Sequence, residues 1–566
     1  MFSSSFRLVV PMLLVSTLAA FAGCKRPAPA DPKSADADLV VSAGAPLFEG
    51  MGKYHRPIKT RDPGAQRFFD QGMVLAFGFN HAEAIRSFRA AQKLDPQCAM
   101  CFWGEGLATG PNINVTSKGK AVMSPADRKA AYAAAQRAVA LQGHASAIER
   151  ALIAALATRY DGSETSDRDP QDRAYAAAMK SVVEQFPEDD DAAAIYAEAS
   201  MNTMPWDYWS ADGTPRPETV EVLNALERVI ARSPRHPLAL HLYVHATEAS
   251  KDPGRAEQAA DTLATLVPGS GHLVHMPAHI YWRVGRYHDA SEANVRAAGV
   301  DEAYIAQCNA QGFYPAMYYP HNIHFLWAAA TMEGRSAVAL EAARKVAANV
   351  RLEQIKEFPT VEYFRTIPLV GLVQFGRWQE ILAEPAAEEG LDYAAAIRHY
   401  ARGVALARTG DLAGARAERA ALVPLRDSVK VTFLDTNDLP ATTLLTIADE
   451  LLQGEIALAD KSLDTAIRHF RAAVETQDTL PYMEPPFWYY PTRQSLGAAL
   501  LKARRFADAE AVYREDLEGY PHNGWSMSGL AESLEAQGKS AEAAQVREMF
   551  EHAWERADVT LQGSRV

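Results

Sequence analysis

Histidines in the middle of the chain recur with a spacing that places them on one surface. His241 and His275 are 34 residues apart, and so are His245 and His279. A period of this length is that of a helix–turn–helix repeat, in which equivalent side chains of neighbouring units point the same way. His241, His245 and Glu248 also stand at i, i+4 and i+7, which is one face of a helix. The pattern therefore predicts a wall lined with histidine.

Imidazole and carboxylate groups on one wall are ligands for transition metals. Eight of the sixteen histidines fall between positions 241 and 324. Zinc, iron and copper all accept such donors, and a His/His/Glu set with an open position is the composition that activates water or oxygen. We predict a transition-metal site formed by His241, His245, Glu248, His275 and His279.

Two features of the sequence limit this hypothesis. There is no HExxH motif, so the zinc-protease arrangement with its adjacent glutamate base is absent. Pro277 lies between His275 and His279 and is expected to interrupt the helix that would place them one turn apart. A metal-free ligand groove and a structural network of side chains hydrogen-bonded across packed helices are the alternatives.

Length and charge narrow the class of protein. With 566 residues the chain is too long for one compact core, and its alanine-rich composition favours an elongated helical array. Its formal net charge of −13 argues against a nucleic-acid partner, because a phosphate backbone requires a basic groove. Small molecules, peptides, cations or proteins remain as ligands.

Residues 66–96 carry large apolar side chains at helical spacing and end in Asp95 and Pro96, which stop a helix. This segment resembles the tetratricopeptide repeat family, and the resemblance recurs over most of residues 61–555. The layout is also similar to a bacterial family of exported or lipid-anchored tetratricopeptide proteins that share blocks such as FNHAEAIRSF and GHLVHMPAHIYWRVGRY. The resemblance implies an all-α fold, a right-handed superhelical solenoid whose first helices line a concave groove.

By that resemblance, further residues face the groove. Positions that would support the metal site or extend the groove are His272, His321, His324, Glu198 and Asn202. Ligand-binding positions are Trp282, Arg283, Tyr318 and Tyr319, of which Arg283 would suit an anionic group.

The first residues are typical of a targeting segment. Arg7 precedes the apolar run LVVPMLLVSTLAAFA, which is too short for a membrane-spanning helix. The sequence FAGC at residues 21–24 resembles a bacterial lipoprotein cleavage box, which implies a lipid anchor on Cys24. Lys25 in place of Asp favours the outer membrane, facing the periplasm. An ordinary cleaved secretory signal is the alternative.

The sequence divides into five predicted parts. These are a signal peptide (1–23), the lipidated cysteine with a flexible tether (24–60), an N-terminal repeat segment (61–200), a central histidine-rich segment with insertions (201–350) and a C-terminal repeat segment (351–566).

Three cysteines follow Cys24. Cys98 and Cys101 form a CxxC motif, which suits a redox pair, a local disulfide or half of a metal site.

The leading hypothesis is an exported, lipid-anchored repeat protein whose groove holds a transition metal. Whether the site turns over a small ligand or stores the metal is left open by the sequence. The alternative is a non-enzymatic scaffold in the cell envelope whose groove binds a peptide or a protein partner.

Overall fold

The computed structural model describes residues 35–114, 123–308 and 314–566. The predicted signal peptide (1–23) and Cys24 lie outside the described residues. Within the described ranges the chain is helical and has no β-strand, only two isolated bridges. None of the described helices is both long enough and apolar enough to cross a bilayer.

The helices of the N-terminal part are α1 (Ala35–Ala43), α2 (Pro63–Phe77), α3 (His81–Leu94), α4 (Ala99–Thr109), α5 (Pro125–Leu141), α6 (Ala147–Ala157), α7 (Asp169–Gln185) and α8 (Asp190–Asn202). The central helices are α9 (Pro217–Arg232), α10 (Pro237–Glu248), α11 (Glu257–Leu263), α12 (Gly271–His275), α13 (Pro277–Arg283), α14 (Tyr287–Cys308), α15 (Tyr319–Met332) and α16 (Ser336–Asn349). A π-helical turn, Tyr314–Tyr318, leads into α15.

The C-terminal helices are α17 (Leu352–Glu357), α18 (Glu362–Arg365), α19 (Ile367–Gln374), α20 (Trp378–Ala383), α21 (Asp392–Thr409), α22 (Leu412–Arg426), α23 (Val429–Asp435), α24 (Ala441–Ala459), α25 (Leu463–Gln477), α26 (Arg493–Lys502), α27 (Phe506–Gly519), α28 (Gly524–Ala536) and α29 (Ser540–Ala553). Short 3-10 helices cover Gln142–His144, Pro253–Ala256 and Pro359–Val361.

Successive helices pack in pairs, and the pairs stack. α2 packs on α3, α4 on α5, α21 on α22, α24 on α25 and α28 on α29. The first helices of neighbouring pairs also touch, as α2 with α4, α8 with α10, α10 with α13 and α26 with α28. Stacking of this kind buries the apolar face that one pair cannot bury alone. The predicted all-α tetratricopeptide-repeat superhelix is therefore confirmed.

The start of α10 is fixed by local contacts that set the direction of the central histidines. Pro237 occupies the first turn, where its missing N–H costs no hydrogen bond. The His236 ring caps the helix by accepting from the backbone N–H of Ala239 at 3.2 Å, and its Nε2 lies 3.0 Å from Asp191. α10 is thus anchored to α8 before its first metal-binding candidate.

The segment before the first repeat is packed. Tyr54 donates to Asp191 at 2.8 Å, and the buried Arg56 pairs with Asp189 and Asp191 at 3.0 and 2.7 Å. The backbone N–H of Gly269 donates to the carbonyl of Gly50 at 2.9 Å. The described part of the predicted tether, residues 35–60, therefore lies against the repeats, which differs from the flexible course expected for 24–60.

Distant repeats meet across the inside of the superhelix. Trp525 donates its indole N–H to the carbonyl of Thr331 at 2.9 Å, and Arg565 donates to Gln374 at 2.9 Å. The carbonyl of Phe77, at the end of α2, accepts from His241 on α10. The Phe77 contact places the end of α2 against α10, where His241 is buried.

Candidate metal centre

Six imidazoles gather at the centre of the groove on four short stretches of helix. α10 carries His241 and His245, α12 carries His272 and His275, α13 carries His279 and α15 carries His321. The first five are buried, and His321 is partly buried. Pro277 does not separate the last turn of α12 from α13, because Met276 between them keeps right-handed helical angles, φ −51° and ψ −37°. The expected interruption therefore leaves His275 and His279 on one face.

Three of these imidazoles form the first group, defined as His241, His245 and His272. One ring nitrogen from each lies within 4.8 Å of the others. The Nε2 atoms of His241 and His272 are 3.2 Å apart, and the ring centroids of His241 and His245 are 4.9 Å apart. The Nε2 atom of His245 is buried and has no hydrogen-bond partner.

The second group consists of His275, His279 and His321. Its ring nitrogens also lie within 4.8 Å of one another. The Nε2 atom of His275 is 2.8 Å from that of His279 and 3.1 Å from that of His321. Phe325 packs its ring against all three, with centroids 5.1 to 5.9 Å away. The second group therefore has one apolar side and one side of converging nitrogens.

Acceptors of the protein hold the Nδ1 atoms of His241 and His275, opposite their converging Nε2 atoms. His241 donates from Nδ1 to the carbonyl of Phe77 at 2.7 Å, and His275 donates from Nδ1 to Asn294 Oδ1 at 2.7 Å. The Asn294 amide is itself oriented, because its Nδ2 donates to the carbonyl of Ala290 at 2.8 Å. Such contacts fix the tautomer with the proton on Nδ1 and leave Nε2 as the free ligand atom.

Glu248 links the two groups. Its Oε1 lies 2.6 Å from Nδ1 of His245 in the first group, and its Oε2 lies 2.5 Å from Nδ1 of His279 in the second. Glu248 is fully buried. Its carboxylate stands between the groups with both oxygens engaged, and with these two histidines it also forms a third set of close ligand atoms.

Burial and neighbouring charges determine the protonation of the cluster. Burial first, and the adjacent imidazoles second, lower the pKa of His241, His272, His275 and His321 well below the ordinary value. His279 differs, because the Glu248 and Glu484 carboxylates outweigh its burial and raise its pKa to about 10. Four of the rings are therefore neutral at pH 7, the form in which imidazole binds metal.

Aromatic residues outside the central helices cover the site, and sequence reasoning missed Phe79 among them. The Phe79 ring lies 4.6 Å from that of His241 and 5.2 Å from that of His272. Phe79 has a positive φ of 56° in the turn between α2 and α3, and nothing in the repeat pattern marks that turn as part of the site. Trp206, 45% exposed, stands 5.3 Å from the His245 ring at the outer edge.

The aromatic loop before α26 supplies a second carboxylate. Glu484 is buried, and its Oε2 lies 3.4 Å from Nδ1 of His279. Tyr482 contacts Glu484 and donates to Glu248 at 3.4 Å. The sequence marks this loop, residues 482–494, as aromatic and proline-rich, which is the signal that could have pointed to it.

Of the five predicted supporting residues, two belong to the histidine groups and three lie outside them. His272 and His321 belong to the first and second groups. His324, in contrast, stacks on Trp327 at 5.2 Å and lies outside both. Glu198 and Asn202 follow one face of α8. Burial raises the pKa of Glu198 to about 7, and both amide atoms of the buried Asn202 lack a hydrogen-bond partner.

Of the four predicted ligand-binding residues, one lies beside the histidines and three make other contacts. Tyr318 lies 4.8 Å from the His272 ring and forms part of the wall. Arg283 donates to the backbone carbonyl of Glu248 and lies over the Tyr482 ring at 5.5 Å, so it caps α10. Trp282 packs behind Phe325 at 5.9 Å, and Tyr319 turns away to donate to Glu302 at 2.9 Å.

No family model matches the sequence, and no curated protein matches it. Among solved structures, the human IFIT1 dimer with m7Gppp-AAAA is similar at 11% identity over 89% of this chain and 92% of that chain, with a TM-score of 0.30. The TPR domain of P58(IPK) is similar at 12% identity over 87% and 98%, with a TM-score of 0.22. Yeast Tom70 is similar at 10% identity over 86% and 89%, with a TM-score of 0.25. Similarity at this level carries no argument about ligands, and the chain is a tetratricopeptide-repeat solenoid by its own helix pairing.

Proposed function

We propose that the inner groove binds transition-metal ions through the six imidazoles. The contact that carries this proposal joins the Nε2 atoms of His275 and His279 at 2.8 Å. Both rings have their Nδ1 at an acceptor, Asn294 for one and Glu248 for the other. With its proton on Nδ1, His275 presents the Nε2 lone pair to the Nε2 atom of His279, and a metal ion bound there would take the place of the proton that His279 otherwise holds.

The observed spacing suits a shared ion. Two nitrogens that bind one ion at about 2.0–2.1 Å stand about 2.8–3.4 Å apart for angles between 90° and 109°. Three of the six nitrogen pairs within the two groups are 2.8, 3.1 and 3.2 Å apart, and the ligand atoms of the other pairs lie within 4.8 Å of each other. Small adjustments of the rings would therefore complete either group around an ion.

The donor set favours zinc, copper or iron(II). All of the converging atoms are imidazole nitrogens, which suit these three metals. None of the close ligand sets in the described ranges includes a cysteine, and Cys98 and Cys101 are joined in a disulfide, whereas thiolate is the form of cysteine that binds metal. Carboxylates enter through Glu248 and Glu484, which hold the Nδ1 side of the rings and offset the positive charge.

Three nitrogen ligands leave a position open for water, oxygen or a ligand. A zinc ion held in this way would lower the pKa of its water to about 7. The wall of the groove also carries aromatic side chains with polar atoms, since Trp206 and Tyr318 contact His245 and His272 and Tyr482 contacts Glu248. We therefore propose a small ligand held beside the metal, with turnover by activated water or oxygen as the reaction to be sought.

Elemental analysis of the chain, purified without chelators or added metal, tests the proposal. The parent is expected to carry a stoichiometric transition metal, and the His245→Ala/His279→Ala variant is expected to lose it. The matched control is His324→Ala, a buried histidine outside both groups, which should keep the parent's metal content. A folded parent that contains no metal and takes up none on reconstitution would contradict the proposal and favour the scaffold interpretation.

The proposed location of this activity is the cell envelope. The basis is the sequence FAGC at residues 21–24, with Cys24 as the lipid-bearing residue. A lipid chain on this cysteine would hold the solenoid at a membrane surface.

A further inference from the structure

We propose that the centre takes two divalent transition-metal ions, one in each group of three histidines. The inference rests on the proposed metal binding and goes beyond it, since one ion would suffice for that function. The first group, His241, His245 and His272, and the second group, His275, His279 and His321, share no residue.

Distance rules out one ion for both groups in this arrangement. Ligand atoms on one ion at about 2.1 Å are at most about 4.2 Å apart. Groups that meet even the looser limit of 4.8 Å contain three residues each, and no set of four does so within the described ranges. A single ion therefore reaches three of the six imidazoles and leaves the other three without a cation.

The directions of the rings lead to the same result. His245 and His279 both turn Nδ1 towards the Glu248 carboxylate, at 2.6 and 2.5 Å. Because Nε2 is on the far side of an imidazole ring, each ring directs its ligand atom away from Glu248 and into its own group. The buried Nε2 of His245, which has no hydrogen-bond partner, is aimed at the first group's position.

The third possible set, His245, Glu248 and His279, competes with both groups. An ion there would use the two Nδ1 atoms and would leave four imidazoles paired only with each other. The oxygen–nitrogen distances in this set are those of charge-assisted hydrogen bonds. We therefore assign Glu248 as a positioning residue that orients one histidine of each group.

The buried carboxylates beside the cluster set its charge. Glu248 and Glu484 lie beside the rings of His245 and His279 and are each at most 4% exposed. Their two negative charges would balance one divalent ion, so the two-ion state requires a further anionic ligand such as hydroxide. Two ions would stand on either side of Glu248, whose oxygens hold one histidine of each group.

The test is the number of ions per chain, measured on the full chain after saturation with Zn²⁺ and removal of the excess. The parent is expected to bind two ions. His272→Ala and His321→Ala are each expected to bind one, and the double variant none. His324→Ala serves as the control and should bind two, while circular dichroism checks that each variant is folded.

A parent that binds one ion overturns the inference and leaves the proposed function standing, whereas a folded parent that binds none overturns both. Loss of both ions from either folded single variant also overturns it, because the groups would not be separate sites.

Glu248→Gln distinguishes a positioning residue from a ligand. As a positioning residue, its replacement leaves two ions bound at saturation and weakens both by about 10–100-fold. If Glu248 were a ligand, saturation would reach only one ion. Titration with Co²⁺, followed through its visible absorption, reports the affinity and the nitrogen coordination of each site.

Discussion

A single carboxylate and a single amide orient three of the six central imidazoles. Glu248 serves His245 and His279, and Asn294 serves His275. Each ring is therefore fixed from the side opposite to its ligand atom, as in metal sites where an outer acceptor sets the tautomer. Residues that never touch an ion are thus expected to control its affinity.

Asn294→Ala tests, at the His275 ring, whether a residue that does not touch the ion controls its affinity. Removal of the amide frees the Nδ1 of His275 and should weaken metal binding in the second group by about 10–100-fold, with the first group unchanged. Zn²⁺ titration by calorimetry measures the affinity of both groups for the ion. Asn349→Ala, at an asparagine outside both groups that donates to the carbonyl of Lys345, is the control. Equal weakening of both groups would contradict the separate roles assigned to Glu248 and Asn294.

Part of this residue-level arrangement is visible in the sequence. The 34-residue period and the i, i+4, i+7 spacing group His241, His245, His275 and His279 correctly on one wall. The division into groups depends on which nitrogen each ring presents. That choice follows from acceptors such as the Phe77 carbonyl, 164 residues away, which no local pattern encodes.

Among the helices, α12 and α13 show how a proline can be placed without loss of register. Pro277 stands at the first turn of α13, where the absence of its N–H leaves no hydrogen bond unmade. The proline rule correctly predicts a break between two helices, but it does not determine the backbone angles at that break. Helical angles at Met276 preserve the one-turn spacing of His275 and His279.

The segment before the repeats packs against them at a glycine. Gly50 has a φ of +74°, and a Cβ there would lie 2.8 Å from the backbone nitrogen of Gly269. Gly50→Ala is therefore expected to cost about 1–3 kcal/mol locally and to speed hydrogen exchange across residues 45–58. Gly143→Ala, where a Cβ meets nothing within 4 Å, is the control. Unchanged exchange in Gly50→Ala would show that this docking is not constrained by the close approach.

A buried acid between α27 and α28 makes stability depend on pH. Burial raises the pKa of Asp516 to about 7, and its Oδ1 has no partner while Oδ2 accepts from Asn523 and Ser526. The pKa of Asp516 is higher in the folded state than in the unfolded state. Its contribution to the free energy of unfolding is therefore full below about pH 4 and is lost as the pH rises to about 7.

Asp516→Asn should remove that loss, since the amide keeps the accepting oxygen and cannot ionise. We expect the variant to match the parent's free energy of unfolding near pH 4 and to exceed it at pH 8 by about 4 kcal/mol, read as a higher thermal midpoint. Asp508→Asn, at a half-exposed surface aspartate, controls for net charge. A variant less stable than the parent at pH 8 would mean that Asp516 is needed as a carboxylate.

Across the whole molecule, the superhelix brings together segments that are distant in sequence. Tyr482 reaches Glu248 over 234 residues, and Trp525 reaches Thr331 over 194. The sequence predicts the solenoid because each repeat carries its own pattern. It does not predict which repeats meet across the groove, because that depends on small rotations that accumulate from one repeat to the next. Phe79 and Glu484 were missed for this reason.

The proposed lipid anchor makes a prediction about the intact chain. The parent should sediment with membranes and carry acyl chains on Cys24, whereas Cys24→Ala should remain in the soluble fraction. Fractionation with mass spectrometry of the N-terminal peptide measures both. Recovery of the parent in the soluble fraction, with an unmodified mature N-terminus, would favour the ordinary secretory signal.

The measurement that tests the central claim most directly is X-ray absorption at the K-edge of the metal that purifies with the parent chain. The account predicts about three imidazole nitrogens per ion at about 2.0–2.1 Å, with the multiple-scattering pattern of histidine and no sulfur. A first shell containing sulfur at about 2.3 Å would place the metal on cysteine, and a shell of oxygen alone would place it on surface carboxylates. Either result would contradict a metal centre built from the six histidines of the groove.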